Sequence, residues 1–391
     1  MRPLHYWVYV EAMEAVKLVG AEAVVTWAGA LSLEVHSDGS VQPYRLNHED
    51  APLYHGLHNG SESVFARAAT PAGVRLVLLT TADAIELTFC WRGERAQSEN
   101  MRVDLCLGNH VGSTSPQHCP GAPLHCQSPR HAPVHCLFSL CRRRQLADSQ
   151  GIGAIGLGAD QWSSPTTLRF VGLPLGQNRV ELWLPQQGNF RVVALRIPTA
   201  ATASRFTDGR PRWITYGSSI THCGAAHSPS RTWPATCART ADVNLTCLGF
   251  GGNCNLDPLV ARAIRDQPAD AINLKLGINM MASHNKRTFI PAAIGFIATI
   301  RDGHPTTPIV VTSPIFSRPR ETANPAFAAM PTAFQHGHAF TLVEHREALS
   351  DLVQVLRARG DHNIHYRSGL ELFGEADEPM LPDLLHPNGD G

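Results

Sequence analysis

The pattern of apolar and polar positions changes near residue 205 of this 391-residue chain. Before that point, short runs rich in β-branched and aromatic residues alternate with turn-like segments, which is typical of antiparallel strands. The clearest runs are 73–79, 84–90, 178–184 and 190–196. Almost no stretch has helical spacing. The pattern therefore predicts an antiparallel β-sandwich over residues 1–205.

After residue 205, strand and helix patterns alternate. The predicted strands are 212–216, 243–250, 270–276, 308–314 and 364–367, and the predicted helices are 232–241, 257–266, 287–301 and 340–359. Such alternation indicates a parallel sheet with helices on both faces, and these sheets bind ligands at the carboxyl ends of their strands. Residues 206–391 are therefore predicted to form a separate α/β domain that carries the functional site.

Charge and apolar content exclude several classes of protein. The 33 basic and 33 acidic residues balance to a net charge of zero, which provides no electrostatic footprint for nucleic acid or an anionic membrane. The most apolar stretch, 15–35, is interrupted by Lys17 and Glu22 and is unsuited to span a bilayer. With no signal-like segment at the start, we expect a cytoplasmic protein whose cysteines are reduced.

Four groups of polar and glycine residues follow predicted strands or lie near the end of the chain. They are Gly217-Ser218-Ser219-Ile220-Thr221, Gly249-Phe250-Gly251-Gly252-Asn253, Leu276-Gly277-Ile278-Asn279 and Asp383-Leu384-Leu385-His386. A serine at a tight strand-to-helix turn is held exposed beside helical N–H groups. Glycines allow close backbone approach to a ligand, and a nearby carboxylate orients an imidazole. Each group is common alone, but all four converge on one predicted sheet edge.

Together these groups resemble the four conserved blocks of the SGNH, or GDSL-type, hydrolases, over roughly residues 211–391. The resemblance implies a flavodoxin-like αβα sandwich. It implies Ser219 as nucleophile, His386 as general base and Asp383 as the acid that orients the base. It also implies an oxyanion hole formed by the N–H groups of Ser219 and Gly252 and the side-chain amide of Asn279.

The sequence departs from the family pattern at two points. Ser218 stands where the family has an aspartate, and we expect it to hydrogen-bond the turn without loss of catalysis. The family also continues with a helix after the His-Pro pair, so we expect the sequence to be trimmed or disordered after Gly391.

Three residues close to the blocks are further candidates for substrate binding. They are His222, Arg231 and Asn253, for which a surface position, a salt bridge and a turn are the alternative interpretations. No cofactor or metal is expected. The motif at 151–156 matches G-x-G-x-x-G but lacks a βαβ unit. The His-Cys pairs within 118–136 do not have the spacing of zinc ligands.

Four functions are compatible with these residues: acyltransferase, esterase or deacetylase, lipase-like enzyme, and non-catalytic binding protein. The intact blocks argue against the last, and no lid-like segment supports the lipase. The β-sandwich resembles a carbohydrate-binding module, and we expect it to wall one side of the pocket. The two-part arrangement resembles actinobacterial enzymes that include GDSL acyltransferases of aromatic polyketide tailoring. That resemblance implies an acyl-CoA co-substrate and a hydroxyl acceptor; the esterase remains the alternative, and the oligomeric state is open.

Overall fold

The computed structural model describes residues 12–55, 64–93, 102–108, 161–328 and 340–391. The His-Cys pairs within 118–136 and the glycine motif at 151–156 lie outside these residues. The apolar run at 6–10, for which the sequence pattern also predicts a strand, lies outside them as well.

Residues 12–204 contribute two antiparallel sheets that pack face to face. Their strands are β1 Met13–Ala15, β2 Thr26–Ala28, β3 Ser32–Val35, β4 Val41–Tyr44, β5 Arg75–Thr80, β6 Ala84–Arg92, β7 Asp104–Gly108, β8 Thr166–Val171, β9 Asn178–Trp183, β10 Asn189–Pro198 and β11 Ala203–Ser204. One sheet has the order β3-β4-β10-β6-β8, with β1 also on β10. The other has the order β11-β5-β9-β7, with β2 also on β5. Two short helices, α1 Ala51–His55 and α2 Val64–Ala68, lie between β4 and β5.

The turns at 81–83 and 184–188 join strands of different sheets rather than the two arms of a hairpin. Strands β5 and β9 belong to one sheet, and their sequence successors β6 and β10 belong to the other. Apolar side chains from both sheets, including Leu76, Phe89, Leu182 and Val192, fill the space between them. The predicted antiparallel sandwich is confirmed.

Residues 212–391 contain a five-stranded parallel sheet. Its strands are β12 Arg212–Gly217, β13 Asn244–Gly249, β14 Ala271–Lys275, β15 Ile309–Thr312 and β16 Ile364–Arg367. The helices are α3 Ser219–His222, α4 Trp233–Thr240, α5 Pro258–Asp266, α6 Met280–Ser283, α7 Lys286–Gly303, α8 Arg318–Glu321, α9 Pro325–Ala328 and α10 Leu342–Ala358. The order β13-β12-β14-β15-β16 is that of flavodoxin-like sheets and confirms the expected α/β fold.

Helix boundaries follow local chemistry that the sequence displays. Helix α5 begins after Asp257 with Pro258 in its first turn. Helix α10 begins with a capping box, in which Thr341 and Glu344 each accept a hydrogen bond from the other's backbone N–H. These signals determine where the helices begin. They therefore also determine where the loops end that follow the carboxyl ends of the strands.

The sandwich packs against β13, the edge strand of the parallel sheet. Two arginines of the sandwich, Arg45 and Arg75, are almost fully buried there, at 0% and 1% exposure. Arg75 donates to the carbonyl of Leu245 at 2.9 Å, and Arg45 donates to the carbonyl of Gly249 at 2.6 Å. The two regions therefore share a buried polar interface along this strand.

A carboxylate adds to the same interface. Asp104 of β7 accepts hydrogen bonds from the hydroxyls of Ser228 and Ser230 and from the Ser230 N–H.

Within the described segments, no helix is both long and apolar enough to cross a bilayer.

Candidate active site

Ser219 is the first residue of α3, directly after β12. Ser218 caps this helix: its Oγ accepts a hydrogen bond from the Ile220 N–H at 3.3 Å, as expected for the residue that replaces the family's aspartate. The Trp233 indole donates to the Ile220 carbonyl at 2.8 Å and holds the short helix from the other side. Ser218 is buried, whereas Ser219 is half-buried and accessible.

Gly249, at the end of β13, allows α3 to approach the sheet. A Cβ at this position would overlap the backbone N of His222 and the backbone carbonyl carbon of Thr221. The next residue is tied to β12, because the Phe250 N–H donates to the Gly217 carbonyl at 2.8 Å. The Ser219 turn and the loop after β13 are therefore packed backbone to backbone.

We expect Gly249→Ala to destabilise the protein and to impair turnover, because the added methyl has to displace α3. Overpacking of this kind typically costs about 1–3 kcal/mol. The thermal midpoint and the rate of hydrolysis of an activated ester measure the two effects. Gly209→Ala is the matched control, because a Cβ there meets nothing within 4 Å. Equal behaviour of the two variants would contradict the packing argument.

Ser219, His386 and Asp383 form one continuous hydrogen-bonded chain. The Oγ of Ser219 lies 2.8 Å from Nε2 of His386, and Nδ1 of His386 lies 2.6 Å from Oδ2 of Asp383. Because an ionised carboxylate only accepts, Nδ1 carries the ring hydrogen and Nε2 is left to accept from the serine hydroxyl. The order of contacts is that of a nucleophile, its base and an orienting acid.

The carboxylate of Asp383 is held ionised by its own loop. Partial burial opposes ionisation, but hydrogen bonds from the His386 ring and from the N–H groups of His386 and Leu385 outweigh it. They lower the pKa of Asp383 to about 2. Asp383 is therefore an acceptor throughout the neutral pH range.

The loop between Asp383 and His386 is anchored at its middle. Leu384 has a left-handed backbone, with φ of 59°. Its carbonyl accepts hydrogen bonds from the buried Ser317 hydroxyl at 2.7 Å and from Arg320 at 3.2 Å. No sequence pattern marked Ser317 or Arg320, since neither belongs to a block. They hold the left-handed residue in place and thereby the acid and base on either side of it.

The three predicted oxyanion donors come from three strand ends. Ser219 opens α3, so its N–H has no partner inside the helix. Gly252 has a φ of +74°, which glycine adopts readily, in a turn closed by a hydrogen bond from the Asn253 N–H to the Phe250 carbonyl. Asn279 accepts at Oδ1 from the Cys254 N–H at 3.0 Å, which orients the side-chain amide so that its NH₂ group is the donor left for an oxyanion among the described contacts.

We expect Asn279→Asp to lower kcat by about 10²–10³, the usual cost of losing one oxyanion donor. The variant retains an oxygen for the Cys254 N–H but loses the NH₂ group and gains a charge that repels the oxyanion. Steady-state kinetics with an activated ester test this, with KM expected to change little. A change confined to KM would show that Asn279 binds the substrate and not the oxyanion.

The further binding candidates occupy three different environments. His222 is 8% exposed, and its Nε2 donates to the Gln186 carbonyl of the sandwich at 2.6 Å. Burial, together with the charge of Arg45, lowers the pKa of His222 to about 3, so its ring is neutral. Asn253 donates from its side chain to the Gly251 carbonyl at 2.8 Å and stabilises the turn. Arg231 is exposed at the end of a 3₁₀ helix, Pro229–Arg231.

Among the described residues there is no group of three or more His, Cys, Asp or Glu side chains suited to a metal. The cysteines of the described segments are free thiols.

A flavodoxin-like sheet with a Ser–His–Asp arrangement at its strand ends is typical of the serine-dependent acyl-transfer enzymes. The sequence comparison agrees: residues 211–391 match the model of the GDSL-like lipase/acylhydrolase family. The resemblance expected from the four blocks is thereby confirmed for residues 211–391, and the protein is an enzyme. The comparison with curated proteins finds no match.

Solved structures resemble the chain over nearly its full length, including the sandwich. The salicylyl-acyltransferase SsfX3 from a tetracycline biosynthetic pathway is 27% identical, with a TM-score of 0.70, and the match covers 98% of this chain and 94% of that one. A GDSL-like lipase from Bacteroides ovatus is 18% identical, with a TM-score of 0.61 and 93% of each chain covered. A family two carbohydrate esterase from Cellvibrio japonicus is 14% identical, with a TM-score of 0.51, covering 92% of this chain and 89% of that one. The last two show the shared fold alone.

Proposed function

We propose that this enzyme transfers an acyl group, most simply one that carries an aromatic ring, from a CoA thioester to a hydroxyl of a large natural-product acceptor. The contact that carries the proposal is the 2.8 Å hydrogen bond from Ser219 to His386, at the strand ends of the parallel sheet. The similarity to a salicylyl-acyltransferase over 98% of the chain supports transfer as the outcome.

In the first half-reaction, the Oγ of Ser219 attacks the thioester carbonyl carbon while Nε2 of His386 takes the hydroxyl proton. The N–H groups of Ser219 and Gly252 and the amide of Asn279 donate to the resulting oxyanion. Collapse breaks the carbon–sulfur bond, and the departing sulfur takes the proton from His386. The acyl group remains on Ser219 as an ester.

In the second half-reaction, the acceptor hydroxyl attacks the acyl-enzyme and gives its proton to His386. The bond from the acyl carbon to the Oγ of Ser219 then breaks, and His386 returns the proton to the serine. Water can follow the same path, which would release the free acid. Which nucleophile wins depends on acceptor binding and water exclusion.

Hydrolysis of a carbohydrate or small-molecule ester is the second candidate function. The side chains of His386 and Asp383 are 38% and 53% exposed, so water has access to the base. A bound acceptor has to displace that water for transfer to dominate.

The deciding experiment offers an aryl-CoA with and without hydroxyl acceptors and follows products by mass spectrometry. Transfer predicts an ester product that depends on the acceptor, together with an acyl adduct on the peptide that contains Ser219. Free acid as the sole product, whichever acceptor is offered, would overturn the transferase and leave the esterase. Ser219→Ala is the control for background thioester hydrolysis.

A further inference from the structure

We propose that Arg45, a residue of the β-sandwich, is a positioning residue for the oxyanion hole: its guanidinium fixes the end of β13 and thereby aims the Gly252 N–H at the reacting carbonyl. The inference rests on the proposed acyl transfer through Ser219. It assigns to the sandwich a part in the chemical step, beyond any part in binding substrates.

The guanidinium of Arg45 makes four hydrogen bonds within the described residues, all to backbone carbonyls. Within the sandwich it donates to Thr70 and Arg67, each at 2.6 Å. Across the interface it donates to Cys247 at 3.2 Å and to Gly249 at 2.6 Å. One rigid, planar group thus ties the sandwich to the last residue of β13.

The burial of this cation calls for a reason beyond packing. Arg45 is 0% exposed, and among the described residues no carboxylate forms an ion pair with it. Burial lowers the pKa of Arg45 to about 10, which still leaves it charged. A buried charge without a counter-charge is costly unless its hydrogen bonds are well made. Here two of those bonds go to the strand that leads into the site.

Gly249 is separated from Gly252 by a single tight turn. Phe250 is the first residue of that turn, and the Arg45 guanidinium lies 5.0 Å from the centroid of its ring. The turn closes with a hydrogen bond from the Asn253 N–H to the Phe250 carbonyl at 3.0 Å. A shift of Gly249 and Phe250 is therefore transmitted directly to Gly252, and a misplacement of about 1 Å can cost about 10²-fold in rate.

Arg75 provides a matched comparison from the same interface. It is buried to the same degree, and burial also lowers the pKa of Arg75 to about 10. It contacts β13 at its opposite end, where it donates to Leu245 at 2.9 Å and to the Asn244 side chain. That end lies away from the Ser219 turn. Unlike Arg45, Arg75 has a carboxylate partner, Glu181, at 3.9 Å. A purely structural role at both positions predicts a loss of stability in each lysine variant, without a loss of kcat that is selective for position 45.

The test compares Arg45→Lys with Arg75→Lys in the full chain, using an activated ester and phenylboronic acid. The boronate bonds to the Oγ of Ser219 and places a tetrahedral oxygen in the oxyanion hole. We expect Arg45→Lys to lower kcat by about 10–100-fold and to weaken boronate inhibition in parallel, with KM little changed. Arg75→Lys should lower the thermal midpoint but leave kcat and boronate inhibition near wild type.

Two results would overturn the assignment: equal losses of kcat in both variants, or a loss in Arg45→Lys without weaker boronate inhibition. If Arg45→Lys does not fold, Phe250→Leu serves instead, because it removes the ring beneath the guanidinium and retains every hydrogen bond. It should lower kcat in the same direction by a smaller factor, and an unchanged kcat would count against the proposal. Failure of the acyl-transfer function itself would be seen separately, as wild-type enzyme without Ser219-dependent turnover.

Discussion

Ser219→Ala is expected to lower kcat by about 10⁵–10⁶, close to complete loss, because the proposed acyl-enzyme forms on the Ser219 hydroxyl. His386→Ala should cost about as much, since an unactivated hydroxyl is a poor nucleophile. The double variant should be no slower than either single variant, because the two residues act as one unit. The rate of hydrolysis of an activated ester and the mass of the acylated protein measure these effects.

Ser218→Ala is the control for the Ser219 variants. Its hydroxyl caps α3 through the Ile220 N–H, so its loss should reduce stability by about 1 kcal/mol. Most of the turnover should remain, and the acyl adduct should still form on Ser219. An adduct that persists in Ser219→Ala would contradict the assignment of the nucleophile.

Asp383→Asn is expected to lower kcat by about 10⁴, the loss seen when the orienting acid of a serine triad becomes an amide. The amide NH₂ of the variant can donate to Nδ1 of His386, which moves the ring hydrogen to Nε2. That nitrogen can then no longer accept the Ser219 proton. The shape of the loop should change little, so the variant isolates the effect of the tautomer.

The pKa of Asp383 determines the pH range over which Asp383→Asn should be defective. The pKa of Asp383 is lowered to about 2, so the carboxylate loses its charge only as the pH falls towards that value. The defect of Asp383→Asn should therefore persist throughout the neutral range. Asp390→Asn is the matched control, because Asp390 also contacts a histidine, His227, at 3.0 Å. Recovery of Asp383→Asn at neutral pH, or an equal loss in Asp390→Asn, would contradict the role of Asp383.

Local sequence patterns predicted most of the fold because the elements are short and their signals lie within them. The fifth parallel strand, Ile364–Arg367, was predicted to the residue, and helix α5 began after Asp257 as expected. The spacing of apolar residues shows that a strand has a buried face, but it does not show which other strand pairs with it. The pairing of β5 with β9 joins Arg75 to Trp183, far apart in sequence, and no local pattern specifies it.

The candidate site likewise has residues that the local sequence predicts and residues that it does not. The block residues lie within single turns, so the sequence displayed them together with their spacing. The anchors of those turns come from elsewhere: Ser317 contacts a loop 67 positions away, and Arg45 contacts Gly249 across 204 positions. Such contacts depend on how whole layers pack, and a lone serine or arginine in a sequence carries no sign of them.

The two buried arginines have a consequence for self-association. The carbonyls of Leu245, Cys247 and Gly249 face outward from β13, where another chain could add a strand. The guanidinium groups occupy all three, so this edge offers no row of free acceptors to a neighbouring molecule. The sandwich thus shields the β13 edge of the parallel sheet from pairing with another chain, and a protein cut between the two regions would expose that edge to solvent.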